Sequence, residues 1–373
     1  MIYTRRDVGK IALATLPVAK LMAAAKPNSN FGGVQIGAIT YTFRALPSSA
    51  EQILGYCIEC GIGAVEMMNT PAEVYAGAPA GAGRGGAGGP GGAGGPGGAP
   101  GGAGRGRGQA QAGAGAPRQG AQVDAPNPAG QARTEAAPGG ARGGGGGGRA
   151  QMTPEQQAAQ QKAAEEMKKW RLSVSMDKYK ALRKMYNDAG VSIYAFKLGI
   201  TLNMSDDECD YIFNVTKALG GNHVTMELPT DPNVTKRVGE FADKHKLMVG
   251  YHAHTQATDT LWDVAMSQSK YNGINFDIGH YVAGSGQSPI PLIQKHHDRI
   301  TSLHVKDRKT PEHGGQNVPW GQGDTPIKEV LQLMKKEKYK FPASIEYEYN
   351  TPEGSNVLAE VKKCVAYAKA ALA

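Results

Sequence analysis

Five short segments in the second half of the chain end apolar, β-like runs with side chains that bind metals or move protons: Met226-Glu227, Tyr251-His252-Ala253-His254, Phe276-Asp277-Ile278-Gly279-His280, Leu303-His304-Val305-Lys306-Asp307 and Ile345-Glu346-Tyr347-Glu348. Glu227, Asp277, His304 and Glu346 each stand where such a run stops. Three carboxylates and one imidazole suit a single divalent ion, Mn2+, Co2+, Mg2+ or Zn2+, with positions left open for a substrate's oxygens. Glutamates so placed can also take and return a proton at carbon, which makes Glu227 and Glu346 the candidate acid/base pair.

Other polar residues share these segments. His252 and His254 lie two apart, hence on one face of an extended strand, and both are expected to line the site. His280, three residues beyond Asp277, is read as a loop residue that reaches a bound substrate. Lys306 shares the face of His304 and suits holding an oxyanion or polarising a carbonyl; a strand-end salt bridge is the alternative. Glu348 shares the face of Glu346, and spacing leaves open which of the two ligates. Glu66 ends an earlier run and is expected to hydrogen-bond a sugar hydroxyl or to hold a neighbouring lysine such as Lys197. His296 and His297 fall on a helix facing away and are read as structural.

These residues need a scaffold that brings strand ends together. Strand-like runs are expected at Val34 to Tyr41, Gly63 to Met68, Val191 to Leu198, His223 to Leu228, Leu247 to His252, Gly273 to Ile278, Ile300 to Val305 and Ala343 to Tyr347. Helix-like patterns alternate with them, among them Ser48 to Gly61, Ser205 to Leu219, Pro232 to His245, Asp259 to Gln268, Pro289 to His297, Pro326 to Lys335 and Asn356 to Ala371. Eight strands and eight helical partners in alternation predict an α/β fold, a single (β/α)8 barrel with its site at the C-terminal mouth of the strands.

The barrel is interrupted after its second strand. Residues 76–149 are almost all Gly, Ala, Pro, Gln and Arg, with no aromatic residue and Val123 as the one aliphatic larger than Ala, so they are expected to be a disordered insert in that βα loop. Residues 27–75 and 150–373 together make 273 residues, close to the roughly 250 of one such barrel. Thr153-Pro154-Glu155 opens a helix where the chain returns.

At the N-terminus, Arg5-Arg6, an apolar stretch from Ile11 to Leu21 and Ala23-Ala24-Ala25 resemble a twin-arginine export signal over residues 1–26. Cleavage after Ala25 and a periplasmic location are the expectation. That stretch is too short to span a bilayer, and no other segment is a candidate span. Of the net charge of +8, the leader carries +4 and the insert +5, which leaves the core at −1 and without a nucleic-acid-binding surface. Cys57 and Cys60 form a C-x-x-C, but within the apolar-periodic run Ile53, Leu54, Cys57, Ile58, which assigns them to helix packing rather than to a redox turn.

The strand endings YHAHT, FDIGHY, LHVKDR and SIEYE, on this eightfold pattern, resemble the xylose-isomerase-like TIM-barrel superfamily of sugar phosphate isomerases and epimerases. The resemblance covers the core and none of the insert. It implies a Glu, Asp, His, Glu metal set: Glu227 or its strand-five neighbour, then Asp277, His304 and Glu346. This chain has His252 where a strand-five Glu is frequent, so Glu227 is taken as the first carboxylate. Endonuclease members hold several zinc ions through further histidines, which this non-basic core with few strand-end histidines does not match. The expected activity is a metal-dependent isomerase or epimerase of a sugar or keto-sugar, acting by proton abstraction beside a carbonyl through an enediolate. A lyase or dehydratase of an oxidised (3-keto) glycoside or inosose would use the same site, and a non-catalytic carbohydrate-binding barrel is the alternative of a different class.

Overall fold

The computed structural model describes residues 26–79 and 153–373. The leader, apart from Lys26, and the insert from residue 80 onward lie outside the described residues.

Eight parallel strands close into a barrel: β1 (Val34–Ile39), β2 (Ala64–Met68), β3 (Ser192–Lys197), β4 (His223–Glu227), β5 (Met248–His252), β6 (Asn272–Asp277), β7 (Ile300–Val305) and β8 (Ala343–Ile345). Each pairs with its sequence neighbour, and β8 closes on β1 through Ala343 opposite Ile36 and Ile345 opposite Ala38. A two-residue strand, Asn30–Phe31, runs antiparallel to the start of β1. In register and order this is the expected (β/α)8 architecture.

Period-two alternation sorts the strand side chains. In β4 to β7, Val224, Met226, Val249, Tyr251, Ile274, Phe276, Leu303 and Val305 belong to the apolar core, while His223, His252, Asn275, Ser302 and His304 are buried polar residues bonded to one another across the barrel lumen, and Thr225 bonds Glu66. The interior is therefore unusually polar for a fold whose lumen is commonly filled by branched aliphatics. Low in the lumen, Tyr194 hydrogen-bonds Ser344. Gly37 of β1 makes room there, since a Cβ would come 3.0 Å from the Tyr194 ring.

The surrounding helices are α1 (Ala50–Cys60), α2 (Asn69–Tyr75), α3 (Pro154–Ser173), α4 (Met176–Asp188), α5 (Asp206–Leu219), α6 (Pro232–His245), α7 (Asp263–Gln268), α8 (Ile278–Ser285), α9 (Ile290–His296), α10 (Ile327–Glu337) and α11 (Val357–Ala371). Local signals explain their starts: Ser49, Thr153 and Ser205 each form a capping box with the residue three positions on. Cys57 and Cys60 are free and buried on α1, as core packing requires. Among the described residues no helix is long and apolar enough to cross a membrane.

Two helices depart from expectation. The second strand does not run straight into the insert but first forms α2, and a short α8 begins directly after Asp277, where a loop was expected. Both are brief, at seven and eight residues, and neither shows a helical apolar period long enough to read.

The chain on either side of the insert is clamped. Glu73 of α2 is 1% exposed and accepts from Arg171 of α3 (Nε 2.8 Å, Nη2 3.2 Å), from the Tyr211 hydroxyl of α5 at 3.0 Å and from Asn69 at 2.9 Å. Replacing Glu73 with Ala is expected to cost about 3–5 kcal/mol, because it leaves a largely buried guanidinium without its anion. Glu73→Gln, which keeps acceptors for Tyr211 and Asn69, should cost less. Urea midpoints of the two variants and wild type check the order.

Candidate active site and metal centre

Four buried side chains converge at the C-terminal mouth. His252, Asp277, His304 and Glu346 each bring one ligand-type atom, and these atoms all lie within 4.8 Å of one another. His252 ends β5 and Asp277 ends β6; His304 is the penultimate residue of β7, and Glu346 follows β8. His304 Nδ1 lies 3.0 Å from Glu346 Oε2. Asp277 divides its carboxylate between two tasks: Oδ1 caps α8 by accepting the His280 N–H at 2.7 Å, while the buried Oδ2 accepts no hydrogen bond.

Lys306 closes the cluster from one side. Its ammonium lies 2.6 Å from Glu348, 2.8 Å from Glu346 and 3.0 Å from Asp277 Oδ2. Burial pushes the Asp277 carboxyl up to about 6 even against the pull of this ammonium. In Glu346 burial acts in the same direction, but Lys306 and His304 together hold it well below the usual carboxylate range.

The structure brings together three members of the expected quartet, Asp277, His304 and Glu346. Glu227 lies outside this close group: its carboxylate is 41% exposed, pairs with Lys197 of β3 at 2.9 Å and stands 3.9 Å from His254 Nε2. His252, assigned from sequence to substrate contact, takes the fourth place. The cause is geometric: Glu227 is drawn toward the neighbouring lysine, whereas the imidazole of His252 points from the next strand into the lumen, where Asn275 Oδ1 meets its Nδ1 at 3.0 Å.

Glu66 lies deeper than the other expected site residues. It is fully buried, two residues before the end of β2, and lies beneath the mouth rather than at it. It accepts from Thr225 Oγ1 at 2.6 Å, His304 Nε2 at 2.9 Å and Asn275 Nδ2 at 3.2 Å. Although burial would raise it, the His304 imidazole and these donors keep its carboxyl down at about 2.

His280 sits in the first turn of α8, not in a loop. Its ring meets Lys306 Nζ at 3.0 Å and Arg308 Nη1 at 2.5 Å, and burial together with these two cations holds it well below the ordinary histidine range, hence neutral. Gly279 allows the close approach of α8 to β7: a Cβ there would fall 2.4 Å from Lys306 Cγ and 2.6 Å from its carbonyl oxygen. His254, more exposed, packs edge-on against His252 and His280, with ring centroids 5.0 and 4.7 Å apart. Glu348 holds Lys306 at the rim. The ligand-type atoms of His252, His254 and His280 form a second close group that shares His252 with the first.

Residues 233–366, which run from α6 into α11, match the family model for the xylose isomerase-like TIM barrel. The chain folds as a TIM barrel, and this matched stretch is similar to the xylose isomerase-like family. A stretch of 111 residues is 30% identical to an inosose dehydratase of Clostridium beijerinckii, covering 28% of this chain and 30% of that protein, so the chain matches under a third of the relative's length. Two solved structures share the fold: a probable 3-DHS dehydratase from Bacillus anthracis (12% identity, 89% of this chain and 98% of that one, TM-score 0.52) and a sugar phosphate isomerase/epimerase from Parabacteroides distasonis (14% identity, 90% and 95%, TM-score 0.51).

In this barrel the residue most plainly missed from sequence is Asn275. It lies two positions before Asp277 on the same strand face, so the alternation that placed Asp277 also placed Asn275 one layer deeper. Lys197 was visible as a strand end, but its pairing with Glu227 depends on how β3 and β4 align in space.

Proposed function

We propose that this barrel is a divalent-metal-dependent enzyme that removes and returns a proton at a carbon beside a carbonyl of a sugar or keto-sugar, as an isomerase or epimerase. One arrangement carries the reading. Two Glu–Lys pairs, Glu227 with Lys197 from β4 and β3, and Glu346 with Lys306 from β8 and β7, stand at opposite sides of the mouth, since β4 and β8 are four strands apart either way round the closed barrel. His252, Asp277 and His304 come from the strands between them.

The donor set fits a divalent ion. Two imidazoles and two carboxylates are mutually close and buried, and Asp277 Oδ2, ion-paired with Lys306 at 3.0 Å, accepts no hydrogen bond. His252, Asp277, His304 and Glu346 would hold the ion, which when bound polarises the substrate carbonyl and so acidifies the neighbouring C–H. Glu227 and Glu346, each kept ionised by its lysine, address a planar carbon from two sides. Lys306 places its ammonium beside Glu346 for the substrate oxygens, His280 stands against that ammonium, and His254 lines the entrance. An export signal in the leader would favour a free over a phosphorylated sugar, with the enzyme acting in the periplasm.

A second reading, loss of water β to the carbonyl of a keto-glycoside or inosose, is supported by the stretch shared with the inosose dehydratase. It begins with the same proton abstraction. Metal analysis of purified protein, followed by NMR in D2O on a panel of free keto-sugars and inososes, tests both. The expected result is a stoichiometric divalent ion and deuterium at one carbon, with a new epimer under the first reading and an unsaturated product under the second. Wild-type protein that holds no ion and exchanges no C–H would sink the two together.

A further inference from the structure

Below the four convergent ligand-type side chains lies a buried polar layer. We propose that Asn275 and Glu66 are positioning residues that set which ring nitrogen of His252 and of His304 faces the mouth. This rests on the reading of those histidines as metal ligands.

The chain of contacts is directional. An amide carbonyl only accepts, so Asn275 Oδ1, 3.0 Å from His252 Nδ1, requires a proton on that nitrogen and leaves Nε2 as the free lone pair. The Asn275 amide cannot flip without losing its bond to Glu66: Nδ2 donates to Glu66 Oε2 at 3.2 Å, where only an NH2 can meet a carboxylate, and to Ser302 Oγ at 2.9 Å. Glu66 Oε2 in turn takes the proton of His304 Nε2 at 2.9 Å, so Nδ1 is the nitrogen turned toward Glu346. Thr225 Oγ1 fixes the other Glu66 oxygen at 2.6 Å. Asn275, Glu66, Ser302, Thr225 and His304 are 0% exposed, and His252 2%. One amide and one carboxylate thus orient both imidazoles from behind, each through the nitrogen a metal would not use.

Two measurements on the full chain decide it. In metal-free protein labelled at histidine, long-range 1H–15N spectra should show His252, assigned by its loss in His252→Gln, protonated at Nδ1. In Asn275→Ala it should become a mixture of tautomers or shift to Nε2–H. Manganese and zinc affinities by equilibrium dialysis should fall by roughly 10–100-fold in Asn275→Ala and in Glu66→Gln. If Asn275→Ala does not fold, Asn275→Thr, which suits a strand but does not reach His252, carries the same test. An unchanged His252 tautomer in a folded Asn275 variant overturns the proposal, as does undiminished affinity in a wild type that binds the ion. Should wild type bind neither ion, the metal reading fails by itself and the tautomer measurement still decides the role of Asn275.

Discussion

Asp277→Asn is expected to abolish metal binding at micromolar ion while leaving the protein folded. The substitution separates two jobs that one carboxylate performs. Asn is as good an N-cap as Asp, and its carbonyl can still accept the His280 N–H, so the start of α8 is preserved. What disappears is the anionic oxygen, Oδ2, that accepts no hydrogen bond in the lumen. Loss of a ligand atom should exceed the roughly 10–100-fold cost of losing an outer hydrogen-bond partner of a ligand. The neighbouring Lys306 keeps Glu346 and Glu348 as anions, so the variant does not strand a buried ammonium. Equilibrium dialysis with manganese or zinc, beside a thermal melt of metal-free protein, checks both halves. A variant that melts with wild type and binds the ion as tightly would remove Asp277 from the site.

The strand order and the face of each strand were legible because parallel strands in a closed barrel alternate strictly, and because Pro, Ser and Gly mark the turns between them. That was enough to gather Asp277, His304, Lys306 and Glu346 at one mouth. Depth was harder to read. Glu66 was read as a strand end although its run was expected to reach Met68, as β2 does, and those two further residues put its carboxylate beneath His304. The choice between Glu227 and His252 also depended on neighbours. Both are last residues of adjacent strands, and what separates them is Lys197 next to one and Asn275 behind the other, contacts set by the alignment of β3 with β4 and β5 with β6. The helical placement of His280 was hidden because Asp277 ends a strand and caps a helix at once, leaving no loop residues between them to signal the change.

The placement of Glu227 outside the ligand cluster sharpens its candidacy as a base, and leads to the most discriminating expectation for catalysis. If the two glutamates serve opposite faces of one carbon, Glu227→Gln and Glu346→Gln should each lower turnover by about 10²–10⁴-fold, since an amide neither accepts nor returns the proton. Their exchange patterns should differ. With one glutamate left, deuterium still enters the epimer whose C–H faces the survivor, while the other epimer, which needs the missing group to start, stays unlabelled. The two variants should therefore label opposite epimers of the same pair. Glu346→Gln should in addition weaken the ion, because Glu346 belongs to the convergent four, whereas Glu227→Gln should leave affinity close to wild type. That difference separates a lost base from a lost ligand. A single-base enzyme would show another pattern: one variant silent toward both epimers and the other near wild type, which would move the reading toward elimination, where one proton abstraction begins the reaction and a donor such as the Lys306–His280 pair assists departure of the hydroxyl.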